Sequence, residues 1–289
     1  MISVLAITGV VLAVEVVGAF VSGSLALLAD AGHVLTDAAG LLIAVGAATM
    51  VTRPATARRT WGYRRAEVLA ATAQAALLLG IGGFVLIEGV RRLISPPPVT
   101  STAMIAFAVV GLVGNLVAIG VLARGRDAAN FNLRAAFLEV VNDAVGSVAV
   151  ILAALVIATT GWDRADPLAS ILIAGLIIPR TVRLLRETTE VLLEAAPRGL
   201  NLDDVRRHLL EVPHVHSVHD LHATQIAAGL PVLTAHVVID DSCFLDGHAP
   251  QMLDHLQACV AGHFPVSVEH STFQLEPAGH ARHEAAAHA

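Results

Sequence analysis

The chain has 289 residues, of which 55% are hydrophobic and 15% are charged, and its mean hydropathy is +0.71. This composition is too apolar for an ordinary soluble domain, and the formal net charge of −6 argues against a nucleic-acid-binding protein. Two cysteines, Cys243 and Cys259, form no CxxC pair, which argues against a disulfide framework and suits a reducing compartment.

Six apolar segments lie before residue 196 and predict six transmembrane helices. The predicted spans are residues 1–21, 25–51, 67–92, 102–123, 133–160 and 166–194. The first segment lacks a basic start and leads directly into the second, so we interpret it as a membrane span rather than a signal peptide. Asp166, followed by Pro167, predicts an N-cap and a first-turn proline for the sixth helix.

Arginines are distributed unequally between the two sets of loops. Twelve lie in the loops after the second and fourth segments and at the end of the sixth, whereas three lie in the opposite loops. By the positive-inside rule, this asymmetry predicts that both termini are cytoplasmic. We therefore expect a multi-pass membrane protein surrounded by lipid.

After Pro197 the chain changes to an acidic, soluble pattern. Residues 197–289 hold 4 arginines against 11 acidic residues, and 13 of the 14 histidines lie at or after His208. The predicted elements are helix, strand, strand, helix and strand, at residues 201–210, 215–226, 232–240, 247–263 and 266–275. We predict a transmembrane domain over residues 1–196, an α+β cytoplasmic domain over 197–277 and a disordered, histidine-containing tail over 278–289.

Two of the apolar segments carry similar pairs of ionisable residues. The second segment holds His33 and Asp37, and the fifth holds Glu139 and Asp143, each pair spaced four residues apart. Residues four apart share one helix face, so the two pairs together can offer one nitrogen and three oxygens to a divalent metal. A lone intramembrane histidine fits a helix–helix hydrogen bond equally well, but two pairs with the same spacing favour the metal site. Three ionised carboxylates repel one another in apolar surroundings, so metal and protons are expected to replace each other there.

These residues stand in a sequence that resembles the cation diffusion facilitator family, most closely its zinc-type metal/proton antiporters. The resemblance covers nearly the whole chain and rests on SGSLALLADAGHVLTDAAG, WGYRRAEVLAA, NLRAAFLEVVNDAVGSVAVI, DPLASILIAG, VHDLHATQIAAGLPVLTAHVVID and HSTFQLEP. His33, Asp37 and Asp143 fall on the family's transport-site motif, whereas Glu139 stands where the family usually has histidine. Exchanging nitrogen for oxygen makes the ligand set harder and could widen acceptance of Mn²⁺, Fe²⁺ or Co²⁺.

The resemblance also implies a function and a cytoplasmic architecture. It implies a six-helix transporter that exports a divalent cation, with Zn²⁺ favoured, in exchange for protons by alternating access, without enzymatic activity or an organic cofactor. It implies a metallochaperone-like αββαβ domain that forms a homodimer and can bind regulatory metal. Histidines stand where some family members have ligands, and each can instead be a surface or core residue; they are His219, His236, His248 and His270.

Two functions of other classes fit parts of the sequence. An intramembrane metallohydrolase would also use histidine and aspartate, but the sequence has no HExxH and its membrane half has a single histidine. A membrane-anchored metal sensor would explain the histidine-rich domain, but an anchor needs no paired intramembrane carboxylates. A transporter that prefers Mn²⁺, Fe²⁺ or Co²⁺ stays open because of Glu139.

Overall fold

The structure is a computed structural model that describes residues 2–124 and 131–280, without the side chains of residues 2–6, 41, 44, 124, 131–136 and 139. The chain divides into two compact units, which are residues 1–47 with 70–186, and residues 48–69 with 187–289. Most of the predicted tail, residues 281–289, lies outside the described part of the chain.

Long apolar helices make up the first unit, and α2, α3 and α6 continue past its limits. The helices are α1 (Ile2–Ser22), α2 (Leu25–Val51), α3 (Ala66–Ile94), α4 (Ser101–Arg124), α5 (Phe131–Thr160) and α6 (Ala165–Leu192). By length and composition, α2 to α6 each contain a stretch that can cross a membrane, and α1 holds a shorter apolar stretch, Ile7–Ser22. The six helices agree with the six predicted segments to within about two residues at each end.

Residue Asp166 of α6 caps the start of α2. Its carboxylate accepts hydrogen bonds from the backbone N–H of Leu25 at 2.8 Å and of Ala26 at 3.1 Å, and from the hydroxyl of Ser24. Asp166 was predicted to be the N-cap of its own helix, but α6 already begins at Ala165. The prediction is therefore wrong. The first N–H groups of α2 have no acceptors within α2, and the buried carboxylate of Asp166 accepts their hydrogen bonds instead.

Helix α4 packs closely along α1 and α5. Glycines permit the close approach of α1 to α4. A Cβ atom on Gly18 would lie 2.5 Å from Cβ of Phe107, and one on Gly114 would lie 2.3 Å from Cγ2 of Val11. Small residues at such positions let membrane helices gain van der Waals contact, which drives helix association in lipid.

The second unit contains a three-stranded sheet with helices. Its elements are α7 (Leu202–Leu210), β1 (Val215–Ala227), β2 (Leu230–Ile239), α8 (Ser242–Leu245), α9 (Ala249–Gly262) and β3 (His270–Pro277). The central strand β2 pairs antiparallel with β1 and parallel with β3. The predicted αββαβ order is present, with the one-turn helix α8 in addition, and the third strand begins at His270 rather than at residue 266.

One apolar core joins the sheet to α7 and α9. Leu209 of α7 and Leu256 of α9 are fully buried, as are Leu233, Val237 and Ile239 of β2. Side chains alternate between the two faces of a strand, so the odd-numbered positions of β2 face the helices and His236 faces the opposite side. Burying each of these large side chains contributes about 1.5–3 kcal/mol.

Candidate functional site

His33, Asp37 and Asp143 come together where α2 meets α5. Nε2 of His33 lies 3.4 Å from Oδ2 of Asp37 and 3.6 Å from Oδ1 of Asp143. One ligand atom from each of the three residues lies within 4.8 Å of the other two. The spacing of four residues stacks His33 and Asp37 on one face of α2, and Asp143 of α5 completes the group. We call these three residues the transport group.

Glu139, the fourth residue predicted for this site, lies on α5 one helical turn before Asp143. Its side chain is outside those that the structure describes. Residues four apart on a helix share a face, so its position is compatible with the transport group. Its role as a ligand stays a prediction.

A cavity of about 330 Å³ lies beside the transport group and is lined by His33 and Asp37. The polar residues Gln74, Asn142 and Arg180 also line it, together with apolar residues of α5 and α6. A water-filled route fits a cavity of this size with polar groups on its wall. His33 and Asp37 therefore face a cavity with room for water, although the surrounding helices are apolar.

A chain of buried polar residues continues from the transport group across four helices. Oγ of Ser147 donates to the backbone carbonyl of Asp143 at 3.1 Å and lies 3.4 Å from Oδ2 of Asp30. Nδ2 of Asn115 lies 3.4 Å from the same hydroxyl, and Glu15 of α1 is buried facing Gly111. Ser147 could not be predicted as part of this chain, because a single serine in an apolar helix carries no positional signal. These contacts hold the turn of α5 that carries Asp143.

Metal-binding chemistry is available to the transport group. It combines one imidazole nitrogen with two carboxylates, a donor set that suits Zn²⁺ as well as harder divalent ions. Two carboxylates this close in apolar surroundings need neutralisation by a cation or by protons. The same side chains can therefore hold either metal or protons.

A second cluster lies on the face of the small sheet opposite α7 and α9. His219 and His236 are cross-strand partners on β1 and β2, with ring centroids 5.2 Å apart. Glu276 of β3 contacts both rings, 2.7 Å from Nδ1 of His236 and 3.6 Å from Nε2 of His219. Glu276 was not predicted as a member of this group. Strand alternation could have indicated it, because Glu276 lies two residues after Gln274, and Gln274 pairs with His236 of β2. We call these three residues the sheet cluster.

The other two predicted cytoplasmic ligands have different neighbours. Nδ1 of His248 lies 2.8 Å from Oδ1 of Asp246, and the backbone N–H of His248, followed by its ring, holds the pKa of that carboxyl below its usual range. The ring of His270 contacts Trp61 edge-on, with centroids 4.8 Å apart. Among residues 2–124 and 131–280, neither histidine belongs to a group of three potential metal ligands whose ligand atoms lie within 4.8 Å of one another. Their ligand roles stay predictions.

Asp240 forms an additional acidic contact outside both clusters. Its carboxylate lies 2.8 Å from Nδ1 of His214 and 2.6 Å from Nε2 of His216. Hydrogen bonds from His214 and then His216 hold the pKa of Asp240 below its usual range. This arrangement ties the start of β1 to the end of β2.

Comparison with known proteins gives matches over both units. The sequence profile of the cation efflux transmembrane domain matches residues 1–193, and that of the cation efflux protein cytoplasmic domain matches residues 197–278. The chain is 40% identical over 284 residues to the metal cation efflux system protein CzcD of Cupriavidus metallidurans, covering 98% of this chain and 88% of that protein. It is 41% identical over 268 residues to the zinc transporter ZitB of Escherichia coli, covering 91% and 82%. It is 38% identical over 242 residues to the cadmium, cobalt and zinc/H(+)-K(+) antiporter of Bacillus subtilis, covering 83% and 78%.

Proposed function

Because this chain belongs to the cation efflux family, we propose that it exports a divalent metal cation, with Zn²⁺ favoured, in exchange for protons. The predicted family and fold class, a helical membrane bundle followed by an α+β cytoplasmic domain, are confirmed. The observation that carries the function is the meeting of His33, Asp37 and Asp143 beside a polar cavity. The names of the relatives ZitB and the Bacillus subtilis antiporter support zinc as cargo and proton exchange.

The proposed loading step uses the transport group in its deprotonated form. Asp37 and Asp143 offer carboxylate oxygens, and neutral His33 offers a nitrogen lone pair to the cation. We assign Glu139 as the fourth ligand. The three carboxylates carry one negative charge more than a divalent ion neutralises, and they repel one another when the ion leaves, so protons must replace it.

The arginine distribution and the cavity together suggest an orientation. We place both termini in the cytoplasm of a bacterial-type plasma membrane by the positive-inside rule. The cavity extends from the transport group past Arg180 to Leu184 in the C-terminal half of α6. With the C-terminus inside, this end of α6 is cytoplasmic, so the cavity corresponds to an inward-facing state that receives metal from the cell.

We further propose that residues 1–196 form the transport domain and residues 197–277 form the cytoplasmic domain of a homodimer. The sheet cluster would take regulatory metal, with His219, His236 and Glu276 as ligands. His248 and His270 stay proposed ligands of the same domain. Metal bound by the cytoplasmic domain would bias the transport domain by favouring one of its states. Loss of metal-dependent dimer tightening in His219→Ala supports this role, and unchanged tightening contradicts it.

A second candidate concerns cargo rather than mechanism. Glu139 stands where relatives of the family usually have histidine, and a harder oxygen ligand favours Mn²⁺, Fe²⁺ or Co²⁺ relative to Zn²⁺. The alternative function is therefore a transporter of the same family with a preference for these ions.

Metal uptake into proteoliposomes with an imposed pH gradient tests the proposal. Zinc, cadmium, cobalt and manganese are compared for the wild type, Asp143→Asn and the matched loop control Asp163→Asn. We expect gradient-dependent zinc flux that Asp143→Asn abolishes and Asp163→Asn retains. Flux of manganese or cobalt without zinc would support the second candidate. Metal binding by folded protein without flux of any ion would overturn transport and favour a membrane-anchored sensor.

A further inference from the structure

A group of two histidines and one cysteine lies on the helical side of the small sheet. His208 is in the last turn of α7, and Cys259 and His263 lie four residues apart in and just after α9. One ligand atom from each residue lies within 4.8 Å of the other two, and Nε2 of His208 lies 2.7 Å from Nδ1 of His263. This group differs from the sheet cluster in every residue and lies on the opposite face of the sheet.

The three side chains differ in burial, and the soft donor is the most buried of them. Cys259 is buried at 3% exposure and belongs to the core between α7, α9 and the sheet. His263 is exposed, and the side chain of His208 is 34% exposed, so the imidazoles are on the solvent side of the group. The thiol is shielded from solvent, and an ion would replace the hydrogen bond between the two rings.

Neighbouring residues hold His208 in a ligating orientation. Oε2 of Glu211 lies 3.4 Å from Nδ1 of His208, which leaves Nε2 directed towards His263. The ring of Phe264 contacts His208 edge-on, with centroids 5.6 Å apart. A carboxylate on the far nitrogen of a histidine is the usual outer support of a metal ligand, because it fixes the tautomer and raises the basicity of the ligating nitrogen.

The donor set selects for borderline and soft ions. Two imidazoles and a thiolate suit Zn²⁺ and related thiophilic cations, and they disfavour Mn²⁺ or Mg²⁺. Tetrahedral zinc with Zn–N of about 2.0–2.1 Å needs nitrogen atoms about 3.3 Å apart. The rings of His208 and His263 therefore separate by roughly 0.6 Å on loading, which side-chain rotation of the exposed His263 can supply. Burial raises the pKa of the Cys259 thiol, so the ion must displace its proton.

We propose that His208, Cys259 and His263 form a third metal site of this chain, which binds Zn²⁺ or another thiophilic divalent cation. Three protein ligands leave the fourth position to water or to an incoming ligand, which is the arrangement of an exchangeable ion rather than a closed structural one. The bound ion joins the end of α7 to the end of α9. The ions that this site prefers include Zn²⁺, the proposed cargo of the transport group, but all three of its ligands belong to the second unit.

Cobalt absorption of the full-length protein tests this site. The chain has two cysteines, so a thiolate-to-Co²⁺ charge-transfer band in the near ultraviolet reports ligation by Cys243 or Cys259. We titrate reduced, detergent-purified protein with Co²⁺ and compare the wild type with Cys259→Ser, His263→Ala and Cys243→Ser. Cys243 is the matched control because it is also a buried free cysteine of the same core.

The expected result is a band in the wild type and in Cys243→Ser that is lost in Cys259→Ser. His263→Ala changes an exposed residue and should fold, so the site can be tested even if Cys259→Ser does not fold. Loss of one nitrogen ligand in His263→Ala should weaken the apparent Co²⁺ affinity at least about tenfold. Asp143→Asn should keep the band, which separates this site from the transport group. A missing band in folded wild type, a band that survives Cys259→Ser, or undiminished affinity in His263→Ala would overturn the proposal.

Discussion

Replacing Asp166 with alanine should destabilise the membrane bundle strongly. The carboxylate is fully buried and accepts three hydrogen bonds, from the N–H groups of Leu25 and Ala26 and from the hydroxyl of Ser24. Each buried donor left without an acceptor costs about 1–3 kcal/mol, so the loss is at most about 9 kcal/mol. Oγ of Ser24 already accepts from the N–H of Leu27 at 3.1 Å and keeps one cap in place. We therefore expect a loss in the lower part of the range, about 3–5 kcal/mol.

Thermal unfolding of the detergent-purified protein, followed by fluorescence-detected size exclusion, measures this loss. At about 2–4 °C per kcal/mol for a domain of this size, Asp166→Ala should melt at least about 6 °C below the wild type. Asp166→Asn keeps one acceptor oxygen and should fall between the two. Asp163→Ala changes an aspartate three residues away and should melt close to the wild type. If Asp166→Ala melts within about 2 °C of the wild type, the cap does not join α2 to α6 as argued.

Three further changes follow from the packing and the charges. Gly18→Ala places a Cβ atom 2.5 Å from Phe107 and should lower the free energy of unfolding by about 1–3 kcal/mol, measured by thermal melting. The control Gly9→Ala, on the same helix, meets nothing within 4 Å and should be neutral. Equal melting temperatures of the two variants would contradict the close approach of α1 to α4. Glu139→His returns a nitrogen donor to the proposed site and should raise zinc flux relative to manganese flux in proteoliposomes; an unchanged ratio would remove Glu139 from the ligand set. Hydrogen bonds from His214 and His216 lower the pKa of Asp240, so its ionised form stabilises the fold above the carboxyl's ordinary pKa, and this stability is lost as pH falls through the lowered pKa. Asp240→Asn should therefore make the melting temperature depend less on pH on the acid side of the profile. An identical profile would show that the contacts of His214 and His216 add no stability.

Local patterns were sufficient to predict most of the fold. Hydropathy placed the six long helices, because each contains an apolar run bounded by turns or charges. The start of β3 was misplaced because residues 266–269 alternate like a strand. The N–H of Val268 instead donates to the carbonyl of Val260 at the end of α9, at 3.1 Å, which ties this segment to the helix. Helix α8 has four residues and is too short to show a period.

Contacts between distant residues were harder to predict. The spacing of four residues predicted both His33 with Asp37 and Asp143 with Glu139 as members of one site, but the distances between α2 and α5 come from helix packing, which no local pattern contains. Asp166 contacts residues about 140 positions earlier, so its own helix was the only partner that local capping rules could suggest. Glu276 was missed for the same reason, because its neighbours come from two other strands.

Two sets of helix contacts in the membrane bundle determine which helices hold each residue of the transport group in place. Close packing holds α4 to α5 and to α1, and the carboxylate of Asp166 links the start of α2 to α6. His33 and Asp37 therefore move with α2 and Asp143 moves with α5, and the contact of Ser147 with Asp30 joins these two helices in the same region. Metal–ligand distances tolerate deviations of only about 0.2 Å, so an ion bound by all three residues would fix the position of α2 against α5 more tightly than that contact does.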